Sequence, residues 1–207
     1  GRQKLKDYLL SFGIKDKTGI DLPNETSGLV SNLNSPRELE YANAAFGQGI
    51  AMTPVEMVRA LAALANGGNL VVPHVVSSIK YGDGTSKKIE YEVIPTKISK
   101  ETGEEITRML VNVMDESFKN GTAKMEHFSV AVKTGTAQVA NTAGGGYYED
   151  RHNHSFFGYF PAYDADFIVF LYAINPKGTE YAAVTWSDPF LDITKFLLNY
   201  YEVPPDR

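Results

Sequence analysis

The sequence predicts an α/β domain of the α+β type, in which an antiparallel sheet is packed against helices. The first observation is the order of the predicted elements: helices, a strand hairpin, a helix, three strands and a closing helix. The second is the β-branched run over residues 130–137, which is typical of a strand. The third is the short connection between the last two predicted strands, residues 154–160 and Phe167–Ile174, which favours antiparallel neighbours.

Apolar residues at helical spacing predict a first helix that ends before Gly13. These residues are Leu5, Tyr8, Leu9 and Phe12. Residues 15–36 are rich in Asn, Ser, Gly and Pro and have no periodicity, so they predict a loop. A short helix is expected over Glu38–Ala45.

The clearest helix signal follows the glycine-flanked turn at residues 46–49. Thr53 is the candidate N-cap, Pro54 stands at the first helical position, and Glu56 completes a capping box. The glycines after Asn66 are expected to end this helix. Its buried face is predicted to consist of Met57, Ala60, Leu61 and Leu64.

A strand hairpin and a second strong helix come next. Residues 71–81 and 88–94 predict two strands joined at residues 82–84, because Gly-Asp-Gly favours a tight turn. The helix that follows has Ser99 as its candidate cap. Its buried stripe is predicted to consist of Ile106, Met109, Leu110 and Val113.

A glycine-rich stretch through residues 144–146 follows the strand at residues 130–137. We expect it to form a long loop that overhangs this strand, as binding edges often do. The closing helix is expected over residues 188–201, because Asp188 and Pro189 form a start signal. Its inner face is predicted to contain Ile193, Phe196, Leu197 and Tyr200.

Composition narrows the classes of function. The 207 residues suffice for one domain or slightly more, and the net charge of −5 argues against nucleic acid as a partner. Because cysteine is absent, disulfides and thiolate metal ligands are excluded. His152 and His154 lack a matching acidic cluster, so we interpret them as surface or strand-start residues and expect neither a metal nor a cofactor.

The predicted strand at residues 130–137 carries the candidate site. An ammonium group inside a strand must be solvated or paired, so Lys133 indicates that this strand borders a wet cleft. Gly135 has no side chain to pack, which suits a position where another backbone lies close. The pattern therefore predicts a strand that holds an extended, anionic ligand. A second Lys-Thr-Gly at residues 17–19 lacks the strand pattern and is interpreted as a helix end with glycine as its stop.

Four segments together resemble a class B penicillin-binding protein, and they occur in the order of that family. They are residues 18–25 (TGIDLPNE), 46–54 (FGQGIAMTP), 133–138 (KTGTAQ) and 155–161 (SFFGYFP). The resemblance covers nearly the whole chain and implies the C-terminal half of a fold shared with serine β-lactamases. The stretch after the Lys-Thr-Gly strand and the ending YYEVPP are more similar to division-type than to elongation-type members. A β-lactamase or a penicillin-sensing receptor would share the strand motif but not residues 46–54.

The resemblance implies a D,D-transpeptidase that cross-links peptidoglycan stem peptides through an acyl-serine intermediate and binds β-lactam antibiotics. Lys133 would orient the terminal carboxylate of the substrate and take part in the proton network, and Thr134 and Thr136 would offer hydroxyls to that carboxylate. The backbone N–H of Thr136 would contribute to an oxyanion hole. Gly135 would let the stem peptide lie along the strand.

The active site of this family contains two further motifs besides Lys-Thr-Gly. The family places S-x-x-K at the start of a helix and S-x-N on a loop, and residues 1–207 contain no S-x-N. The match Ser77-Ser78-Ile79-Lys80 lies in a predicted strand, where residues three apart point to opposite faces, so we reject it as the nucleophile. We expect residues 1–207 to be a partial transpeptidase domain that lacks its nucleophile helix and is inactive alone. The alternative is a non-catalytic scaffold or protein-interaction fragment of a degenerate homologue.

Expectations about location and assembly also follow from the resemblance. The catalytic domain of the full-length protein would lie on the extracytoplasmic side of the cell membrane, which it would contact only through an N-terminal anchor outside these residues. The missing elements would leave apolar surface exposed around Val132 and on the last helix. We therefore expect the truncated fragment to be marginally stable or to form a dimer.

Overall fold

Helices dominate the first of two units, Gly1–Lys100, in the computed structural model, which describes all of residues 1–207. Its α-helices are α1 (Arg2–Ser11), α2 (Glu38–Ala45) and α3 (Pro54–Ala65). The three predicted helices are confirmed. The predicted loop is also confirmed, apart from a short 3₁₀ turn at Ser31–Asn34.

The start of α3 shows the predicted capping box. The Thr53 hydroxyl accepts a hydrogen bond from the backbone N–H of Glu56, and the Glu56 carboxylate accepts one from the backbone N–H of Thr53 at 2.7 Å. The inner face of α3 differs from the prediction, because Glu56 and Arg59 are buried whereas Met57 is only half-buried. Burial of the Glu56 carboxylate is compensated by hydrogen bonds, because it accepts from the N–H of Gly28 at 2.8 Å as well as from that of Thr53.

The predicted hairpin forms as two short ladders instead of one long one. Strand β1 (Asn69–Val71) pairs with β4 (Val93–Pro95), and β2 (Ser78–Lys80) pairs with β3 (Ser86–Lys88). The ladder is interrupted because Pro73 has no N–H to donate. In addition, the N–H groups of Val75 and Val76 donate to the Asp21 carboxylate at 2.9 and 2.8 Å rather than to a neighbouring strand.

The second unit, Glu101–Arg207, contains a three-stranded antiparallel sheet. Its elements are α4 (Lys100–Asn112, which starts at the boundary), β5 (Ala131–Ala140), β6 (Tyr147–Phe160), β7 (Phe167–Ile174) and α5 (Ala182–Tyr200). The strand order is β5-β6-β7, so β5 and β7 are the two edges of the sheet. The predicted α+β class with an antiparallel sheet is confirmed.

The predicted long loop after residue 137 is wrong. Strand β5 continues to Ala140 and β6 already begins at Tyr147, with a bulge between Gln138 and Ala140. The connection is a tight turn, in which Asn141 N–H donates to the Gly146 carbonyl at 2.9 Å. Because the flanking residues satisfy their backbone groups by pairing, no long segment is left to overhang the strand.

Helix α5 begins earlier than predicted, at Ala182, so that Pro189 lies inside it. The sequence signal at Asp188 failed because the first turn is stabilised from the sheet. The hydroxyl of Thr136 on β5 accepts a hydrogen bond from the N–H of Ala182 at 3.0 Å. A helix N-terminus can be capped by any nearby acceptor, and here that acceptor is distant in sequence.

Both helices of the second unit bury faces that differ from the predicted ones. In α4, Leu110 is buried as predicted, but Met109 is 52% exposed, and Thr107 and Val111 are buried instead. In α5, Phe190, Thr194 and Leu198 are buried. The predicted inner residues Phe196 and Tyr200 are 60% and 68% exposed and stack on each other.

The core of the second unit lies between the sheet and α5. Phe156 of β6 packs against Phe190 of α5 with ring centroids 4.5 Å apart, and Val132 is only 1% exposed. Gly158 provides room for this packing, since a Cβ at that position would lie 2.4 Å from the Phe190 ring. The expected apolar exposure around Val132 is therefore wrong, and the expected exposure on the last helix is confirmed. None of the helices is both long enough and apolar enough to span a membrane.

Candidate active site

The candidate site lies on β5, an edge strand whose outer backbone groups have no neighbouring strand. The buried residues Ala131 and Val132 anchor its first part in the core, and the chain then emerges at Lys133, which is exposed. Lys133 is paired across the sheet with Phe157, and Gly135 with Ser155. An edge strand of this kind can accept an extended peptide as an additional strand.

The ammonium group of Lys133 forms no ion pair in this structure. Its Nζ donates a hydrogen bond to the backbone carbonyl of Thr134 at 2.8 Å. A lysine has three donors, so this single bond leaves two of them for a ligand. Lys133 can therefore bind an anionic group at the strand edge.

The two threonine side chains differ in their surroundings. Successive side chains of a strand alternate between the faces of the sheet, so Thr134 and Thr136 lie on the face opposite to Lys133 and Gly135. Thr136 accepts from the Ala182 N–H, which leaves its hydroxyl proton free to donate. Thr134 is half-buried and lines a cleft of about 510 Å³ together with Val113, Phe118 and Val184.

Gly135 has a structural reason for lacking a side chain that the sequence did not reveal. A Cβ at this position would lie 2.5 Å from the hydroxyl oxygen of Ser155 on β6. The Ser155 hydroxyl also donates weakly to the Gly135 carbonyl, at 3.4 Å. The space that we attributed to a ligand backbone is thus required by a cross-strand neighbour. Only the register of the two strands, which the sequence does not state, could have pointed to Ser155.

His154 is buried, so its interpretation as a surface or strand-start residue is wrong. Its ring nitrogens lie 2.8 Å from the Thr185 hydroxyl and 2.9 Å from the Glu180 carbonyl. This histidine therefore joins the sheet to α5 and to the residues before it. No group of three or more His, Cys, Asp or Glu side chains in residues 1–207 is arranged to hold a metal ion.

The second Lys-Thr-Gly, at residues 17–19, is structural, but it is not a helix end, since α1 already ends at Ser11. The Glu25 carboxylate accepts from the N–H and hydroxyl of Thr18 at 2.6 and 2.5 Å and from the N–H of Gly19 at 3.1 Å. Burial raises the pKa of Glu25, but these hydrogen bonds outweigh it and place the pKa below its ordinary value. The Glu25 carboxylate therefore holds residues 17–19 in a loop conformation.

The S-x-x-K match at residues 77–80, which we rejected as the nucleophile, lies at a strand and not on a helix. Ser77 lies directly before β2, where its carbonyl accepts from the N–H of Ile89 at 3.0 Å, and Lys80 is the last residue of that strand. Both side chains are exposed, and no helix places them on one face. The arrangement does not let the lysine amine take the serine proton.

The residues of β5 can bind a ligand, but they include no nucleophile paired with a base. The exposed ammonium group of Lys133 can bind a carboxylate, and the open edge of β5 can pair with the backbone of an extended ligand. The two threonine hydroxyls offer further donors from the other face of the strand. The four sequence-predicted residues, Lys133 to Thr136, come together as a consecutive run because they share one strand, and Ser155 joins them from β6.

Comparison with known proteins gives one family for most of the chain. Residues 1–193 match the transpeptidase family described as "Penicillin binding protein transpeptidase domain". Stage V sporulation protein D of Bacillus subtilis is 38% identical over 183 residues, which are 86% of this chain and 28% of that protein. Penicillin-binding protein PbpB of Mycolicibacterium smegmatis is 30% identical over 212 residues, covering 99% of this chain and 33% of that protein.

Solved structures agree with the sequence relatives. Penicillin-binding protein 3 of Mycobacterium tuberculosis in complex with ampicillin has a TM-score of 0.86 and 28% identity. The match covers 99% of this chain and 47% of that one. The chain spans only about a third of the length of the curated relatives it matches, as the coverage of 28% and 33% shows.

Proposed function

The chain belongs to the family of penicillin-binding protein transpeptidase domains, and from this premise we propose that it is the C-terminal part of a peptidoglycan D,D-transpeptidase. The proposed reaction cross-links stem peptides. A serine oxygen attacks the carbonyl carbon of the D-alanyl-D-alanine bond, terminal D-alanine leaves with a proton, and an acyl-enzyme remains. An amine of a neighbouring stem peptide then takes the acyl group and releases the serine.

The observation that carries this proposal is the exposed Lys133, without an ion-pair partner, on an open strand edge beside two threonine hydroxyls. We assign Lys133 to the terminal carboxylate of the substrate, because an ammonium group attracts an anion. Thr134 and Thr136 lie on the other face of β5, so they would donate their hydroxyl protons to that carboxylate at the open edge of the strand, which both faces border. The backbone N–H of Thr136 would stabilise the oxyanion of the tetrahedral intermediate. The stem peptide would lie along β5.

The serine nucleophile with its S-x-x-K motif and the S-x-N motif would be supplied by residues outside 1–207. Within these residues S-x-N is absent, and the one S-x-x-K match is not helical. Residues 1–207 would therefore form a partial domain that is inactive alone.

A role in cell division at the outer face of the membrane is the finer part of the proposal. It is supported by the names of relatives, which include peptidoglycan D,D-transpeptidase FtsI of Buchnera aphidicola at 26% identity. Cross-linking of peptidoglycan would take place outside the cytoplasmic membrane, so the domain would be held there by an anchor elsewhere in the protein. Binding of β-lactams is proposed by analogy with the ampicillin complex of the mycobacterial protein.

Labelling with a fluorescent penicillin tests the proposal. The full-length protein is expected to label covalently, and residues 1–207 alone are not. Lys133→Ala in the full-length protein should slow labelling by about a hundredfold, the scale expected for losing one charge-stabilising donor in an active site. Lys195→Ala is the matched control, since Lys195 is an exposed lysine on α5. Failure of the full-length protein to label would instead support the non-catalytic scaffold.

A further inference from the structure

The residues after α5 lie against the segment that leads into β5. We call Val203–Arg207 the clasp and residues 113–130 the lead-in segment. Val203 is 8% exposed and belongs to the same core cluster as Val130 and Val132. The clasp is thus anchored in the core directly beneath the candidate strand.

Asp206 of the clasp binds the last polar residue before β5. Its carboxylate accepts from the backbone N–H of Ser129 at 2.7 Å and from the Ser129 hydroxyl. The backbone N–H of Asp206 donates to the carbonyl of His127 at 3.1 Å. Ser129 is 2% exposed, so its two donors have no access to water and depend on this carboxylate.

Ser129 also joins the ends of two strands. The backbone N–H of Ala162, just beyond β6, is shared between the Ser129 carbonyl at 3.0 Å and the Ser129 hydroxyl oxygen at 2.9 Å. The hydroxyl therefore accepts from one side of the sheet and donates to the clasp. Its orientation is fixed only when both partners are present.

Arg207 binds the other end of the lead-in segment. Its guanidinium forms a bidentate pair with the Asp115 carboxylate at 2.5 and 2.8 Å, which raises the pKa of Arg207. It also donates to the Met125 carbonyl at 2.7 and 3.2 Å. Asp115 lies in a π-helical turn, Val113–Ser117, that lines the cleft beside Thr134.

The lead-in segment needs such external support because its backbone is strained. The π-helical turn is followed by Lys119, Asn120 and Gly121, which have φ values of 50°, 57° and 79°. Left-handed conformations of non-glycine residues persist only where surrounding contacts impose them. The clasp supplies such contacts at both ends of the segment.

We propose that Asp206 and Arg207 are positioning residues for the candidate site: they hold the lead-in segment and so set the place of Lys133 and Thr134. This inference rests on the proposed function. The physical link is short, since Ser129, which the clasp holds, lies two residues before the start of β5 and four residues before Lys133. Small displacements of binding groups lower reaction rates strongly.

The test is Asp206→Asn in the full-length protein, which keeps the size of the side chain and removes one of two acceptors. Acylation by fluorescent penicillin is followed over time, well below the unfolding temperature of every variant. The second-order rate constant is expected to fall by about tenfold to a hundredfold. The final amplitude, which reports the folded fraction, is expected to stay near that of the unchanged protein. Asp192→Asn, the same change at an exposed position on α5, should alter neither quantity.

A double-mutant cycle with Ser129→Ala shows whether Asp206 acts through Ser129. Because Ser129→Ala removes one of the two donors, Asp206→Asn should slow acylation less in that background than alone. A lower amplitude or unfolding temperature with an unchanged rate constant would overturn the inference and leave the proposed function standing. If the unchanged protein does not label, the proposed function fails and the inference falls with it.

Discussion

At the scale of single residues, the neighbour of Gly135 across the sheet explains why position 135 has no side chain. The Ser155 hydroxyl occupies the place where a side chain at position 135 would begin. The Lys-Thr-Gly sequence is thus coupled to a serine on β6 that is distant in the chain but directly opposite in register. A glycine at this position serves the packing of the sheet as well as any ligand.

Gly135→Ala is expected to destabilise the second unit by about 1 kcal/mol, because the Ser155 hydroxyl must turn away and give up its weak hydrogen bond to the Gly135 carbonyl. Ser155→Ala alone should cost little, and the double variant should recover most of the loss, because the conflict is with the hydroxyl oxygen. Chemical denaturation of the four proteins measures this coupling. Gly82→Ala is the control, since a Cβ there meets nothing within 4 Å. Equal losses for the single and double variants would refute the explanation.

At the scale of elements, the start of α5 depends on β5. The Ala182 N–H is buried and donates to the Thr136 hydroxyl, so one residue of the candidate site is also the cap of a helix. Thr185, in the first turn of the same helix, forms a hydrogen bond with the ring of His154 on β6. The candidate strand and α5 therefore hold each other in place.

Thr136→Val should fray the first turn of α5, because it leaves a buried donor unpaired at a cost of about 1–3 kcal/mol. Hydrogen exchange of the amides in the first turn of α5 is expected to become faster. Thr136→Ser should retain slow exchange, since it keeps the acceptor. Thr134→Val, on the same face of the strand, should not affect these amides, and fast exchange in that variant would argue against a specific cap.

At the scale of the whole molecule, α5 carries an aromatic pair on its exposed surface. Phe196 and Tyr200 are 60% and 68% exposed and lie with ring centroids 5.5 Å apart. Stacked apolar side chains on a surface helix mark a contact site or an aggregation risk. In the full-length protein this surface would be available to other segments or partners.

Residues 1–207 alone are expected to dimerise or to bind a hydrophobic dye. Replacing Phe196 and Tyr200 together by Ser should restore a monomer without unfolding, since both side chains are largely outside the core. Sedimentation measures the mass, and Lys195→Ser provides the control on the same helix. A monomer that binds no dye in the unchanged sequence would contradict the expectation.

The sequence by itself determined those helices and strands whose stabilising contacts lie within a few adjacent residues. The capping box at Thr53 and Glu56, the strand that carries Lys133 and the strand Phe167–Ile174 were all predictable, because hydrogen bonds and periodicity within a few residues decide them. Family membership was likewise contained in the order of short motifs.

Tertiary structure decided whatever depends on partners distant in the chain. The start of α5 was missed because its cap comes from Thr136, the hairpin was broken by the carboxylate of Asp21, and the faces of α4 and α5 follow from packing on the sheet. The roles of Ser155 and Asp206 were invisible in sequence for the same reason. A hydrogen bond or a steric conflict between distant residues exists only once the chain has brought them together, whereas a cap or a strand pattern is already complete within a few adjacent residues.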